Sequence, residues 1–247
     1  MSLKDPGTLP AVIGHRGAAG YAPENTLAGL HKAHDLGLAC VEFDVMLTAD
    51  GTPVLFHDET LERTTNGTGR LADRSWEALK DLDAGSWFDS RFARQRIPTL
   101  HQALALLGRL GMGANVEIKP AEGQEASTGI ITAKTLQESW PRNLPAPVLS
   151  SFSEKALAAA ADQAPEYPRA LLVSEFPADW QARLEGQGAT SLHASRRHLT
   201  EAQARAVVAA GYALRIYTVN DGAEAAKFFA WGVESVFSDF PDRISRP

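Results

Sequence analysis

From Pro10 to Ser238 the chain repeats one unit, a short apolar run of strand length followed by a stretch with helical spacing, and this alternation is the strongest constraint on its fold. Strands are predicted at residues 10–14, from Cys40 onward, and at 114–119, 147–152, 169–173, 190–193, 213–219 and 234–238. Between them lie helix signals. Pro23-Glu-Asn-Thr26 offers capping residues before Leu27, Leu30 and Ala33, and Gly37 closes that helix. Thr99-Leu-His-Gln102 and Thr200-Glu-Ala-Gln203 are capping boxes. Eight strands, the first seven each followed by a helix, are the count of an α/β fold of the (β/α)8 TIM barrel type. Strand spacing alone also permits an open doubly wound sheet, but no GxGxxG and no GxxxxGK motif is present to supply its usual nucleotide-binding role. A length of 247 residues suits a single barrel domain over 1–247.

One segment breaks the rhythm. Residues 58–98 carry Asn66-Gly67-Thr68-Gly69, a short helical candidate at 75–82 and the cluster Gly85-Ser86-Trp87-Phe88, with no long element. So long a stretch inside a compact fold marks a functional insertion, here a small subdomain after the second strand and near the site.

The second strand brings chemistry with it. At a period of two, Glu42 and Asp44 share one face while Val41, Phe43 and Val45 take the other. Asp50-Gly51 reads as a two-residue hairpin turn, so numbers across the hairpin are expected to sum to 101 and Asp44 to face His57. The first strand delivers His15 and Arg16 at its tip, and Glu117 and Lys119 share a face of the third. In a barrel all of these sit at the C-terminal strand ends, where reactive groups gather. A structural ion-pair network is the competing explanation, yet so many buried charges are costly unless they are paired or bind metal.

Three carboxylates without cysteine form a hard oxygen site suited to Mg²⁺ or Ca²⁺. Both histidines are then free for proton transfer. Arg16 and Lys119 suit a phosphate, the first as a planar fork and the second as a point charge. These parts together describe metal-assisted cleavage of a phosphodiester. Trp87, Phe152 and Tyr217 are aromatic candidates to flank the substrate, with packing as the alternative. His193 is a candidate to line the pocket, whereas His31, His34, His101 and His198 read as surface residues.

A net charge of −6 without a block of Lys or Arg speaks against nucleic acid as a partner. The first ten residues hold charge and proline where a signal peptide needs an apolar run, and no stretch approaches a membrane span, so a cytoplasmic location without stable membrane insertion is expected. Cys40 is the only cysteine, which excludes an intramolecular disulfide, and its apolar strand makes it buried filler.

His15-Arg-Gly17, Pro23-Glu-Asn-Thr26, Glu42-Phe-Asp44, His57-Asp58, Glu117-Ile-Lys119 and Tyr217-Thr-Val-Asn220 resemble, in order and spacing, the glycerophosphodiester phosphodiesterase family, and most closely its cytosolic bacterial members. The resemblance runs over about residues 12–242. It implies a barrel with an insertion after the second strand, a divalent cation on Glu42, Asp44 and Glu117, and His15 and His57 as acid and base. The expected partner is a small-molecule glycerophosphodiester, hydrolysed to glycerol 3-phosphate and an alcohol by a monomer or homodimer. A lipid-directed phospholipase of the same fold and a non-catalytic barrel that binds a phosphorylated ligand are the rival readings. Ser238-Asp239 stands where the family more often has Thr-Asp, and residues 174–198 match no family motif.

Overall fold

Eight parallel strands close on themselves. In the computed structural model, which describes residues 9–245, they are β1 (Val12–Gly14), β2 (Cys40–Leu47), β4 (Gly113–Ile118), β5 (Val148–Ser151), β6 (Arg169–Val173), β7 (Ser191–Ser195), β8 (Ala213–Tyr217) and β9 (Ser235–Ser238). Closure is direct, because β1 pairs with β2 at Gly14 and Val41 and with β9 at Ile13 and Phe237. A short β3 (Pro53–Leu55) runs antiparallel to the far end of β2. This is the TIM barrel that the alternation predicts. The N-terminal residues read above as unlike a signal peptide lie mostly outside the described residues.

The helices are α1 (Leu27–Asp35), α3 (Leu100–Leu110), α4 (Glu125–Ser139), α5 (Glu154–Gln163), α6 (Trp180–Gly186), α7 (Glu201–Ala209) and α8 (Gly222–Ala230), with a one-turn α2 (Trp76–Leu79) in the insertion. Local chemistry starts them where the sequence indicates. The Thr26 hydroxyl accepts from Gly29 N, and both capping boxes form, at Thr99/Gln102 and Thr200/Gln203.

Alternation along each strand sorts the two sides of the barrel wall. Val41, Phe43, Val45, Val116 and Ile118 belong to the core between barrel and helices, all at 1% exposure or less. At the base of the interior, Ile13, Cys40, Val148, Ala170 and Phe237 form a second cluster, so Cys40 is indeed buried filler. Burial drives its thiol up to about 12, which keeps it protonated and inert.

The hairpin differs from expectation. Val45 faces Leu55 and Met46 faces Val54, so residue numbers sum to 100, and Phe56 N donates to Asp44 O where His57 was expected opposite Asp44. A five-residue loop replaces the two-residue turn: Thr48 N donates to Thr52 O, and Thr52 N donates to the Thr48 hydroxyl. Gly51 has positive φ but Asp50 does not, and a type I′ turn needs both. The Asp50 carboxylate instead accepts from Trp76 N at the start of α2. The hairpin is thereby tied to the insertion, whose apolar side chains Leu61, Leu71 and Leu79 pack with Met46, Val54 and Phe56 in a small core of their own.

Candidate active site

Glu117 stands near the C-terminal end of β4, whereas Glu42 and Asp44 lie mid-strand in β2, whose last residues run on to pair with β3, and the three are 4% (Glu42), 1% (Asp44) and 8% (Glu117) exposed. Register places Asp44 beside Glu117, and one oxygen from each of the three carboxylates lies within 4.8 Å of the others. Burial, and then Asp44 and Glu117, push the Glu42 carboxyl well above the usual carboxylate range. Burial and Asp44 likewise raise Glu117 to about 7, against the opposing pull of Lys119. Burial raises Asp44 too, but Arg16, followed by His57, Lys119 and Asn25, outweighs it and holds the group below its ordinary value. Three buried acids that repel one another, all with oxygen donors, fit a hard divalent cation, which would relieve the repulsion that raises two of them.

Asp44 and Glu42 are each held by hydrogen bonds. Asn25 Nδ2 donates to Asp44 Oδ2 at 2.8 Å, while Asp44 N donates back to Asn25 Oδ1 at 3.2 Å. Arg16 N donates to Glu42 Oε2 at 2.8 Å. That contact needs the chain to turn sharply after β1, with Arg16 at φ 48 and Gly17 at φ 89. A Cβ on Gly17 would come 2.5 Å from the backbone of Gly29, so only glycine lets α1 approach this closely. The Arg16 guanidinium donates to Glu24 at 2.6 Å and has Nε 3.4 Å from Asp44 Oδ2. Arg63 of the insertion reaches both Glu24 and Asp58 and so fastens the insertion to the site.

The two histidines share one arrangement. His15 Nδ1 is 2.7 Å from Asp239 Oδ1, and its Nε2 is 3.9 Å from Glu42 Oε2. His57 Nδ1 is 2.6 Å from Asp58 Oδ1. A carboxylate on Nδ1 fixes that nitrogen as the protonated one and turns Nε2 toward the cavity. For His57, burial lowers the pKa, with Arg16 and Lys119 adding to the effect and Asp44 and Asp58 opposing it.

A cavity of about 540 Å³ joins these groups. His15, Arg16, Glu42, His57, Glu117 and Lys119 line one side of it. Lys119 Nζ stands 3.6 Å from Glu117 Oε1. Phe152 and Tyr217 also line the cavity and meet edge to face at 5.9 Å, with the Tyr217 hydroxyl donating to Val173 O. Trp87 does not join them. Its indole donates to Ala84 O and packs on Phe88 within the insertion, outside the cavity lining, because the insertion's own turn holds it there. His193 sits mid-strand rather than at a strand end, fully buried, and lines the cavity. His198 is exposed as expected, but on the cavity rim.

Sequence reasoning assigned no role to Asp239, Asn220, Asn25 or Glu24. Asn220 Nδ2 holds Asp239 Oδ2 at 2.8 Å. Asn25 and Asn220 belong to quoted motifs and Asp58 adjoins His57, so a signal existed for them. Asp239 gave none toward His15, 224 residues away.

The profile of the Glycerophosphoryl diester phosphodiesterase family matches residues 15–243. The glycerophosphodiester phosphodiesterase of Caldanaerobacter subterraneus subsp. tengcongensis is 32% identical over 240 residues, covering 94% of this chain and 95% of that protein. A phosphodiesterase of Oleispira antarctica, solved in complex with the product sn-glycerol 3-phosphate, superimposes with a TM-score of 0.93 at 43% identity, over 96% of this chain and 95% of that one. A structure from Silicibacter pomeroyi shares the fold, with a TM-score of 0.83 at 23% identity over 97% of this chain and 92% of that one.

Proposed function

The chain belongs to the glycerophosphoryl diester phosphodiesterase family, and from that premise we propose that it hydrolyses small glycerophosphodiesters to sn-glycerol 3-phosphate and an alcohol, using a divalent cation and two histidines. The observation that carries this reading is a buried three-carboxylate cluster, two of whose members, Glu42 and Glu117, line the same cavity as two imidazoles that each have a carboxylate on Nδ1.

Glu42, Asp44 and Glu117 are the residues to hold the cation, Mg²⁺ or Ca²⁺ by the hardness of their oxygens. Bound there, it would supply Lewis-acid stabilisation of charge on the phosphoryl oxygens. Lys119 and the part of the Arg16 guanidinium left free by Glu24 add positive charge on the same side of the cavity. Neither a serine nor a cysteine in this cluster is paired with a base, so the nucleophile comes from the substrate or from water. The glycerol 2-hydroxyl lies next to its own phosphate, and intramolecular attack gains a large effective concentration. One imidazole Nε2 takes the hydroxyl proton as the oxygen bonds to phosphorus. The other protonates the alcohol oxygen as its bond to phosphorus breaks. Water then opens the cyclic phosphate, with the two imidazoles exchanging roles. Phe152 and Tyr217 present apolar faces to the part of the substrate beyond the phosphate.

Assay of a glycerophosphodiester panel after chelation, with Mg²⁺ or Ca²⁺ then restored, tests the reading. Hydrolysis that returns with the cation supports it, and full activity in excess chelator overturns the metal-dependent part.

A further inference from the structure

The turn after β7 sets Arg196, Arg197 and His198 on the wall of the same cavity. In the closed strand order β7 is four strands from β2 in either direction, so this turn lies across the barrel mouth from Glu42 and Asp44. Arg196 is neutralised by Glu224, its NH1 2.9 Å from Oε1. Among the described residues no carboxylate pairs with the side chain of Arg197 or of His198. A chain with net charge −6 thus places an uncompensated guanidinium and an imidazole at the open side of its cavity, away from the groups that would handle the scissile phosphate.

The deep side of the cavity indicates which half of a substrate reaches these residues. Asn115 lies two residues before Glu117 on β4, level with Glu42, the deepest of the three carboxylates, and its Oδ1 is buried without a partner. His193, fully buried, likewise leaves Nδ1 unpaired. The Arg215 guanidinium points an N–H at His193 Nε2 across 3.4 Å, so Nε2 is the acceptor and Nδ1 carries the proton. One unpaired acceptor and one unpaired donor on a closed floor match a hydroxyl, which both gives and accepts a hydrogen bond. The glycerol half supplies hydroxyls in every substrate of the class. With glycerol on the floor and phosphorus at the carboxylates, the variable alcohol extends past Phe152 and Tyr217 toward the turn after β7.

We propose that Arg197 and His198 recognise an anionic group on the alcohol half of the substrate, so that the enzyme prefers glycerophosphodiesters with a negatively charged head group. Arg197 is suited to a phosphate by its planar fork, and His198 adds a ring N–H donor beside it. The proposal rests on the phosphodiesterase reading above and narrows its substrate class.

The test compares kcat/KM for glycerophosphoinositol 4-phosphate, glycerophosphoinositol and glycerophosphocholine, in wild type, Arg197→Ala and Arg197→Glu. Wild type is expected to favour the phosphorylated inositol diester over the other two. Arg197→Ala should reduce kcat/KM for that substrate about tenfold, mainly through KM, and at least fivefold more than for glycerophosphoinositol. Arg197→Glu should reverse the order in favour of choline. Equal losses on all three substrates would show general attraction of phosphodiesters and overturn the proposal, as would a wild type indifferent to head-group charge. Hydrolysis of none of the three would overturn the catalytic reading and this proposal together.

Discussion

His15 Nδ1 and Asp239 Oδ1 stand 2.7 Å apart although 224 residues separate them, because β1 pairs with β9 and the barrel closes at that seam. Asp239 is itself held twice by Asn220, through its carboxylate and through its backbone N. This arrangement sets the imidazole's tautomer, so in the proposed mechanism Asp239 acts through His15. Asp239→Asn should therefore lower kcat on the order of 100-fold with KM little changed and metal affinity retained. A variant that loses affinity for metal, with kcat unchanged at saturation, would remove Asp239 from this role.

The carboxylate cluster makes a separate prediction. Glu42→Gln, Asp44→Asn and Glu117→Gln should each weaken binding of Mg²⁺ or Ca²⁺ in a calorimetric titration, and high metal should partly restore turnover. Loss of one ligand from a hard oxygen site leaves the other two in place, which is why the rescue should be partial. Undiminished affinity in all three variants would contradict the assignment.

The route of attack can be tested on the substrate. An analogue without the glycerol 2-hydroxyl should bind but not turn over if that hydroxyl is the nucleophile. Cleavage at an undiminished rate would establish water as the direct nucleophile.

Asp83 organises the turn of the insertion, accepting from Gly85 N, Ser86 N and Arg94 N at 2.9, 2.8 and 2.7 Å. Burial raises its pKa, but these backbone donors outweigh burial and hold the group well below its ordinary value. A depressed folded-state pKa gives stability that is complete above the unfolded value of about 3.9 and declines as pH falls below it toward the folded value. Asp83→Asn should accordingly be less stable than wild type at pH 7, by at most about 1 kcal/mol once solvent screening at this turn is allowed for, and the gap should narrow below about pH 4. Urea unfolding of both proteins at several pH values measures this, and a gap independent of pH would count against it.

Much of the site was legible because it is built on strand alternation. Glu42 and Asp44 share a face by period, and the core positions Val41, Phe43 and Val45 take the other face. The hairpin register was not legible. Asp50-Gly51 carries a strong local turn signal, yet Asp50 is drawn to the N-terminus of α2 and the loop lengthens to five residues. Trp87 misled for a related reason, since an aromatic in an insertion reads alike whether it faces the cavity or its own turn. The contacts of Asp239 with His15 and of Arg215 with His193 come from barrel closure and cross-strand register, and no local pattern encodes them.

In the proposed reaction two imidazoles over a carboxylate-bound cation hydrolyse a glycerophosphodiester. Phosphorus NMR of glycerophosphoinositol incubated with wild type, His15→Ala or His57→Ala in the presence of Mg²⁺ or Ca²⁺ tests it most directly. Wild type should release sn-glycerol 3-phosphate and the free alcohol, and each variant should be slower by about 100-fold or more while calorimetry finds metal affinity little changed. Product formation at the wild-type rate in both variants, or a collapse of metal affinity in either, would contradict the account.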